Sequence, residues 1–348
     1  MTNQKHRELR DIISEIRIGW NLGNSLDVVT EEVHNNIYYT ETGWGNPVIS
    51  AELIKTVINA GFNLIRIPVT WSGKLIPEKD YLIRKDWLDR VEEVVNYAYQ
   101  EGVYVIIDAH HEDNWLYLGD RDKEKEAKII IQCLWKQIAK RFQNYDYHLM
   151  FETMNETRLI GTEDEWTSGT VEARETVNGL NIAAIKAIRS ESGYNRERII
   201  VIPTYGAKAS VEAIKSIRIP QDEKCVILDV HAYAPYEFCM VTNEISQWGT
   251  AEDVANLRDF ITQLSEAAKE KHIHLIIGEF GTINKNNLAD RVRYLSTYYR
   301  ETKKNGIKCI IWDNNRAKAY SKDSYGQIDR NTLRWLFPEI INALMENT

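Results

Sequence analysis

The chain has 348 residues, with 43 Lys or Arg against 51 Asp or Glu and a formal net charge of −8. Proteins that bind nucleic acid usually carry a basic surface, so this acidic balance argues against nucleic acid as a partner. No apolar run approaches the ~18 residues of a membrane span, and the widely spaced Cys133, Cys225, Cys239 and Cys309 are interpreted as free thiols.

Short β-rich apolar runs alternate with longer amphipathic stretches along the whole chain. The predicted strands are residues 16–20, 64–68, 104–109, 149–152, 199–203, 225–231, 274–278 and 308–312. Between them, apolar residues recur with helical spacing, as at Val254, Leu257, Ile261 and Leu264. Eight such repeats predict an α/β fold, a (β/α)8 TIM barrel that forms a single domain over residues 1–348. The absence of a GxGxxG motif after the first strand argues against an open dinucleotide-binding sheet.

Three predicted helices end at a glycine just before the next strand. Gly61, Gly102 and Gly306 occupy equivalent places in the runs NAGFNLIRI, QEGVYVII and KNGIKCII. Glycine at this position is typical of a helix end that needs a left-handed residue. The repeated junction indicates that the units share one geometry.

The predicted connections differ in length between the two ends of the barrel. Links from helix to strand are predicted to take two or three residues. Long stretches instead follow the strands, at residues 21–49, 157–171, 231–250 and 313–330. Barrel enzymes carry their sites in the loops after the strands, so we expect the functional residues there.

Polar side chains occur at most of these strand ends. They are Asn21, Asn24, Arg66, His110, His111, Asn155, Glu156, His231, Tyr233, Glu279 and Trp312. A single polar residue at a strand end is usually solvated or paired with a surface charge. Because all eight strands of a parallel barrel end at the same face, we expect these residues to converge on one site.

Two carboxylates, Glu156 and Glu279, end the fourth and seventh predicted strands. A facing pair can supply a proton donor and an anion for cleavage of a glycosidic bond. A separation of about 5 to 5.5 Å gives retention of configuration and about 6.5 to 9.5 Å gives inversion, and the sequence leaves both open. The acid requires a raised pKa and the other carboxylate must stay ionised. Arg66 and the Tyr233 hydroxyl are candidates to hold Glu279 as an anion.

Eight motifs follow one another at these strand ends: GWNLGNSLD, ETGWGNP, GFNLIRIPVTW, VIIDAHHEDNW, FETMNE, DVHAYAPY, IIGEFG and IIWDNN. Together, over residues 16–315, they resemble glycoside hydrolase family 5, and most of all its endo-β-1,4-glucanase branch, subfamily 4. The resemblance implies a retaining endoglycanase with Glu156 as acid/base and Glu279 as nucleophile.

The resemblance also implies roles for neighbouring residues. Arg66 matches the arginine that supports the nucleophile, and Asn155 matches the asparagine that contacts the sugar 2-hydroxyl. The family's polar wall and aromatic floor are matched by His110, His231, Tyr233 and Trp312.

Two positions depart from the family's usual pattern. Thr157 stands where proline usually follows the Asn-Glu pair, and Asp108 stands where asparagine is frequent. The threonine predicts a less rigid loop behind Glu156. It also creates an Asn-Glu-Thr sequon, which we interpret as coincidental because a glycan there would block the site.

The tryptophans divide into two groups by position. Those inside regular elements, predicted to be core, are Trp20, Trp135 and Trp335. Those at or beyond strand ends are Trp44, Trp71, Trp115, Trp166, Trp248 and Trp312. Because aromatic rings match the apolar faces of sugars, we expect Trp44 and Trp312 to bind substrate. Asn24 and His111 complete the predicted substrate-binding residues.

Three other readings compete with this one. A metal-dependent barrel hydrolase would use the histidines, but the first strand supplies no His pair, and His272 and His274 begin their strand at the opposite face. A glycan-binding module would lack one of the two carboxylates. A β-mannanase stays open, because one or two side chains read the sugar at C2.

The predicted chemistry needs no cofactor and no metal. The expected partner is a β-glucan polysaccharide or oligosaccharide, with cellulose-type and mixed-linkage glucans first and xyloglucan as a further candidate. Neither a membrane nor a protein partner is implied. The family acts outside the cell, which predicts an extracellular location, whereas the charged N-terminal residues show no signal peptide and allow a cytoplasmic one.

Overall fold

The computed structural model describes residues 7–29 and 37–348. Its eight parallel strands close into a barrel, in which each strand pairs with its neighbour in sequence and the first pairs with the last. The strands are β1 (Gly19–Asn21), β2 (Leu64–Ile67), β3 (Tyr104–Asp108), β4 (Leu149–Glu152), β5 (Ile200–Lys208), β6 (Val226–His231), β7 (His274–Phe280) and β8 (Lys308–Ile311). The predicted (β/α)8 fold class is confirmed.

A helix follows each strand and packs on the outside of the barrel. These helices are α1 (Ala51–Asn59), α2 (Lys85–Tyr99), α3 (Arg121–Arg141), α4 (Val171–Arg189), α5 (Val211–Ser216), α6 (Ala251–Glu270), α7 (Leu288–Lys304) and α8 (Pro338–Met345). Several begin at a side-chain cap: Thr250, for example, forms a reciprocal capping box with Asp253 at the start of α6.

Shorter helices and hairpins lie outside the eight βα units. In the described part of the chain there are three further helices, Leu9–Glu15, Ile37–Thr42 and Tyr236–Cys239, and two short 3-10 helices, Pro77–Lys79 and Gly193–Arg196. Two hairpins pair Leu75–Ile76 with Leu82–Ile83 and Ile328–Asp329 with Arg334–Trp335. No helix in the described ranges is long and apolar enough to cross a bilayer.

The inside of the barrel changes from apolar to charged along the strands. An apolar layer contains, one from each of four strands, Leu64, Ile106, Met150 and Ile227. Ile12 and Ile13 of the first helix join this layer and close the N-terminal end. Because side chains two positions apart in a strand point to the same side, the next inward residues are Arg66, Asp108, Glu152 and Asp229. This charged layer lies at the C-terminal ends of the strands, where the sequence predicted a site.

Some boundaries differ from the prediction. Strand β1 has only three residues, and β5 has nine and continues to Lys208. The links before β7 and β8 have the predicted three residues, whereas those before β2 and β3 have four and those before β4, β5 and β6 have seven, ten and nine. Two of these links are tied together by the buried Arg198, which donates to the carbonyls of Phe142 and Leu149 at 2.7 Å. That guanidinium satisfies backbone acceptors that the extra residues would otherwise leave buried and unpaired.

Several local predictions are confirmed. Gly61, Gly102 and Gly306 all have positive φ, at 117°, 73° and 73°. The four cysteines are free thiols. Trp20 and Trp135 are fully buried, and Trp335 packs partly buried beside Phe62, with ring centroids 6.1 Å apart.

Candidate active site

A single buried arginine organises the charged layer. Arg66 donates from Nε and Nη2 to the two carboxylate oxygens of Glu152, at 2.7 and 2.9 Å. Nη2 also reaches Asp108 Oδ2 at 2.9 Å, and Nη1 reaches Glu279 Oε1 at 3.0 Å. Further acceptors are Asn21 Oδ1 at 3.1 Å and Asn155 Oδ1 at 2.8 Å. A guanidinium is planar, so contacts on every side fix the direction of each N–H.

Glu279 is held at both oxygens. Arg66 Nη1 donates to Oε1, and the Tyr233 hydroxyl donates to Oε2 at 3.0 Å. Burial and the charge of Glu279 hold the pKa of Tyr233 well above its usual value, so the phenol keeps the proton that it donates. The two groups that the sequence named as candidates to hold Glu279 are therefore its hydrogen-bond partners.

Glu156 and Glu279 both lie close to the imidazole of His231. His231 Nδ1 lies 2.7 Å from Glu156 Oε1 and 3.6 Å from Glu279 Oε2. A carboxylate oxygen of Glu156 and one of Glu279 lie within 4.8 Å of each other. This spacing matches the shorter of the two separations that glycosidases use, the one that gives retention.

The proton of this group resides on His231. Burial opposes the charge of the imidazole, but Glu279 and Asp229 outweigh it and hold the pKa of His231 well above its ordinary value. Burial also raises the pKa of Glu156, yet the hydrogen bond and charge of His231 prevail and lower it to about 2. The expectation of a raised carboxyl pKa for the acid residue is thus wrong for Glu156, because the proton lies one hydrogen bond away.

Asp229 supports His231 from below. Its Oδ2 lies 3.1 Å from His231 Nε2, and its Oδ1 accepts from the backbone N–H of Gly278 at 2.6 Å. A Cβ at position 278 would lie 2.5 Å from the Asp229 carboxylate, so only glycine admits this contact. Sequence reasoning missed Asp229 and Glu152 as site residues. The available signal was an acidic residue inside an otherwise apolar strand, in VILDVH and LMFE.

Asp108 positions His110, which forms a wall of the site with Trp312. Its Oδ2 lies 2.7 Å from His110 Nδ1, and Asn155 Nδ2 lies 3.4 Å from the other ring nitrogen. The His110 ring is parallel to Trp312 within 5°, with centroids 6.0 Å apart. Asp108, the departure from asparagine, therefore carries charge that both Arg66 and His110 neutralise.

His111 and Trp44 continue this wall outward. The His111 ring lies 4.5 Å from His110 and 5.8 Å from Trp44, measured between centroids. Burial and the charge of His110 lower the pKa of His111 to about 3, so its imidazole is neutral at physiological pH. Trp44 and Trp312 are both partly exposed, as a sugar-binding ring must be.

The loop after β1 supports the aromatic floor. Asn24 adopts a left-handed φ of 58°, donates its backbone N–H to Asp27 at 2.8 Å and accepts from Asn46 at 2.6 Å. A Cβ at Gly23 would lie 2.5 Å from the Trp312 ring, so glycine lets the loop close on the indole. Hydrogen bonds of its backbone therefore fix the position of Asn24. Its side chain is partly exposed, and contact of this side chain with substrate stays a prediction.

The remaining tryptophans at strand ends fall into two classes. Trp71, Trp115 and Trp248 are buried and belong to the core. Trp166 is 53% exposed and carries the Arg158 guanidinium on its ring at 4.1 Å. Burial excludes the first three from binding sugar, whereas Trp166, within the loop after β4, keeps a largely exposed ring.

That loop is braced by Arg158 in place of the missing proline. Arg158 Nη1 donates to the carbonyl of Glu156 at 3.0 Å, and Nε pairs with Glu165 at 3.2 Å. Thr157 is buried, and its carbonyl accepts from the Gly206 N–H at 2.9 Å. The backbone behind Glu156 is therefore held by hydrogen bonds to Arg158 and Gly206, and the less rigid loop stays a prediction.

Within residues 7–29 and 37–348, three groups of side chains have ligand atoms close enough to hold a metal ion. They are Asp27 with His110 and His111, Glu152 with Asp229 and His231, and Glu156 with His231 and Glu279. His110, His111 and His231 belong to these groups, whereas His272 and His274 belong to none of them. All three groups lie around the carboxylate pair, so a chelator control belongs in any test of function.

The family model described as Cellulase (glycosyl hydrolase family 5) matches residues 26–318. Cellulase/esterase CelE of Acetivibrio thermocellus is 42% identical over 339 residues, which cover 96% of this chain and 40% of that protein. The chain therefore spans less than half the length of CelE.

Two solved structures are similar over almost their whole length. A GH5-4 broad-specificity endoglucanase from Ruminococcus champanellensis, with bound cellotriose, aligns with a TM-score of 0.95 at 36% identity, covering 99% of this chain and 100% of that one. XEG5A, a GH5 xyloglucan-specific endo-β-1,4-glucanase from a metagenomic library, gives 0.92 at 37% identity, with coverages of 98% and 99%.

Proposed function

The chain belongs to the cellulase family, glycosyl hydrolase family 5, and we propose that it is a retaining endo-β-1,4-glucanase. One observation carries the proposal: two carboxylates with different neighbours lie within 4.8 Å of each other. Glu279 is held by an arginine and a phenol, whereas Glu156 shares a proton with His231. Such a pair separates an ionised nucleophile from a proton donor.

The first step of the proposed reaction forms a covalent intermediate. A Glu279 oxygen attacks the anomeric carbon and forms a bond to it as the bond to the leaving sugar oxygen breaks. His231 Nδ1 lies 2.7 Å from Glu156 Oε1, and its proton passes through Glu156 to that oxygen, which leaves Glu156 as a carboxylate beside a neutral imidazole. Arg66 and Tyr233 hold the two oxygens of Glu279 in position until the new bond forms.

The second step reverses the roles. Glu156, now a carboxylate, takes a proton from water and returns it to His231, while the water oxygen bonds to the anomeric carbon and the bond from that carbon to Glu279 breaks. Asn155, fixed by Arg66, is proposed to contact the sugar 2-hydroxyl. His110, His111, Trp44 and Trp312 are proposed to form the wall and floor that contact the sugar.

The proposed substrates are cellulose-type and mixed-linkage β-glucans. The similarity to a structure solved with cellotriose supports a β-1,4-glucan, and the similarity to XEG5A supports xyloglucan as a further substrate. These similarities do not favour the β-mannanase alternative. An extracellular location stays a prediction from the family.

Replacing His231 is expected to move the basic limb of the pH profile. In the wild type, the His231–Glu156 pair keeps its proton until the pH rises through the raised pKa of the histidine. In His231→Asn, Glu156 alone must hold that proton, so the basic limb of kcat/KM moves to lower pH. Tyr233→Phe, which touches only Glu279 of the pair, should lower kcat and leave the basic limb in place. An unchanged basic limb in His231→Asn would contradict the shared proton.

The function is tested by reducing-sugar release from barley β-glucan, carboxymethylcellulose, xyloglucan and mannan, with and without EDTA. We expect glucan cleavage that EDTA does not change. Activity on mannan alone would keep the two-carboxylate chemistry and overturn the substrate. Loss of activity in EDTA would favour a metal-dependent hydrolase, and inactivity on every polymer would favour the glycan-binding module.

A further inference from the structure

Glu152 forms a two-oxygen fork on Arg66 in the fully buried charged layer. Its Oε2 accepts from Nε at 2.7 Å and its Oε1 from Nη2 at 2.9 Å, and neither side chain is exposed. This is the bidentate geometry in which a carboxylate and a guanidinium are coplanar. Of the carboxylates around Arg66, Glu279 and Asp108 each contact it through one oxygen.

The fork decides where the rest of the guanidinium points. With Nε and Nη2 bound to Glu152, the remaining nitrogen, Nη1, is directed to Glu279 at 3.0 Å. Nη2 also reaches Asn155 Oδ1 at 2.8 Å. The guanidinium is planar, so Nη1 cannot change direction unless the hydrogen bonds of Nε and Nη2 to Glu152 break. The direction of the N–H that holds the proposed nucleophile is therefore set by Glu152.

Glu152 also adjoins the acid/base side of the site. Carboxylate and imidazole atoms of Glu152, Asp229 and His231 lie within 4.8 Å of one another. Glu152 ends β4, the strand that leads directly into Asn155 and Glu156. Its position thus links the support of the nucleophile to the element that carries the proton donor.

We propose that Glu152 is a positioning residue for glycoside cleavage, which orients Arg66 so that Glu279 is held in the geometry of attack. The proposal rests on the proposed function. Glu152 is buried beneath the site and acts through Arg66, so its loss should leave the binding of sugar unchanged. It should slow the attack of Glu279, because a misplacement of the reacting group by about 1 Å can reduce the rate by about 100-fold.

The test is Glu152→Gln, whose amide can accept only one of the two N–H groups and presents its own NH2 to the other. We expect kcat/KM to fall by about 100-fold on 2,4-dinitrophenyl β-cellobioside and on β-glucan alike, with the Kd of cellotriose unchanged. Equal loss on good and poor leaving groups places the defect in nucleophilic attack, because an acid/base defect spares the good leaving group.

The matched control is Glu41→Gln. Glu41 forms the same two-oxygen fork on the buried Arg90, at 3.0 and 2.8 Å, between the helix Ile37–Thr42 and α2. We expect Glu41→Gln to lower the Tm as much as Glu152→Gln while kcat/KM stays within about threefold of the wild type. This comparison separates loss of a buried ion pair from loss of orientation.

Glu152→Asp is the second variant, in case the glutamine variant does not fold. Aspartate keeps the carboxylate, but its side chain is one methylene too short to reach both Nε and Nη2 of Arg66, so we expect the same loss of kcat/KM. The proposal is overturned if a folded variant is as active as Glu41→Gln, if it loses cellotriose binding, or if it loses activity only on poor leaving groups. It is also overturned if neither variant folds, because Glu152 then serves stability. Wild-type inactivity on both substrates would overturn the proposed function instead.

Discussion

Glu279→Gln is expected to reduce kcat on β-glucan by about 10⁴-fold or more, because an amide cannot form the covalent glycosyl-enzyme. Glu279 is 6% exposed and bonded to Arg66 and Tyr233, and glutamine has the same size. The variant should therefore keep the fold and bind cello-oligosaccharide. Reducing-sugar release and calorimetric binding of cellotriose measure the two effects separately.

A covalent label identifies the nucleophile directly. A 2-deoxy-2-fluoro cellobioside with a good leaving group should inactivate the wild type by attachment to the peptide that contains Glu279. Glu279→Gln should take up no label. Mass spectrometry that finds the sugar on another residue, or a glutamine variant with wild-type turnover, would refute the assignment.

Glu156→Gln is expected to lower kcat/KM on β-glucan by about 10² to 10⁴-fold, the usual contribution of a positioned proton donor. On 2,4-dinitrophenyl β-cellobioside, kcat/KM should stay near that of the wild type, because dinitrophenolate leaves without protonation. Release of the second product then becomes slow, since no base activates water. Parallel kinetics on the two substrates measure this difference.

Added azide offers a further check on Glu156→Gln. A small anion needs no general base, so azide should restore turnover of the dinitrophenyl substrate and give a β-glycosyl azide, with configuration retained. Glu279→Gln provides the comparison, since it forms no intermediate for azide to intercept. Equal losses of kcat/KM on the good and the poor leaving group would remove Glu156 from the role of acid.

The pairing of the two carboxylates was readable from the sequence because the parallel strands of a barrel all end at one face. Glu156 and Glu279 each follow an apolar strand, and closure of a barrel brings the C-terminal ends of all strands to one face. Arg66 and Tyr233 were found in the same way, and both contact Glu279. Position in the strand was enough, since no side-chain distance was needed to place them at this face.

The buried acidic residues beneath the site could not be found from strand position. Glu152 and Asp229 end or interrupt apolar strands, and nothing in the strand pattern says which cation they meet across the barrel. Trp71, Trp115 and Trp248 lie beyond strand ends as Trp312 does, yet they are buried. Exposure depends on how a loop folds back, and strand position does not encode it.

The sequence by itself determined the eight-stranded barrel, the face that carries the site and the two carboxylates, because these follow from periodicity and strand order. Only the tertiary structure decided the approach of Glu156 and Glu279 to within 4.8 Å, the spacing on which the proposed retention of configuration rests. It also decided that the proton belongs to His231, because a pKa depends on the charges that surround a group in space. Those charges come from several strands, and only barrel closure brings them within a few ångströms of one another.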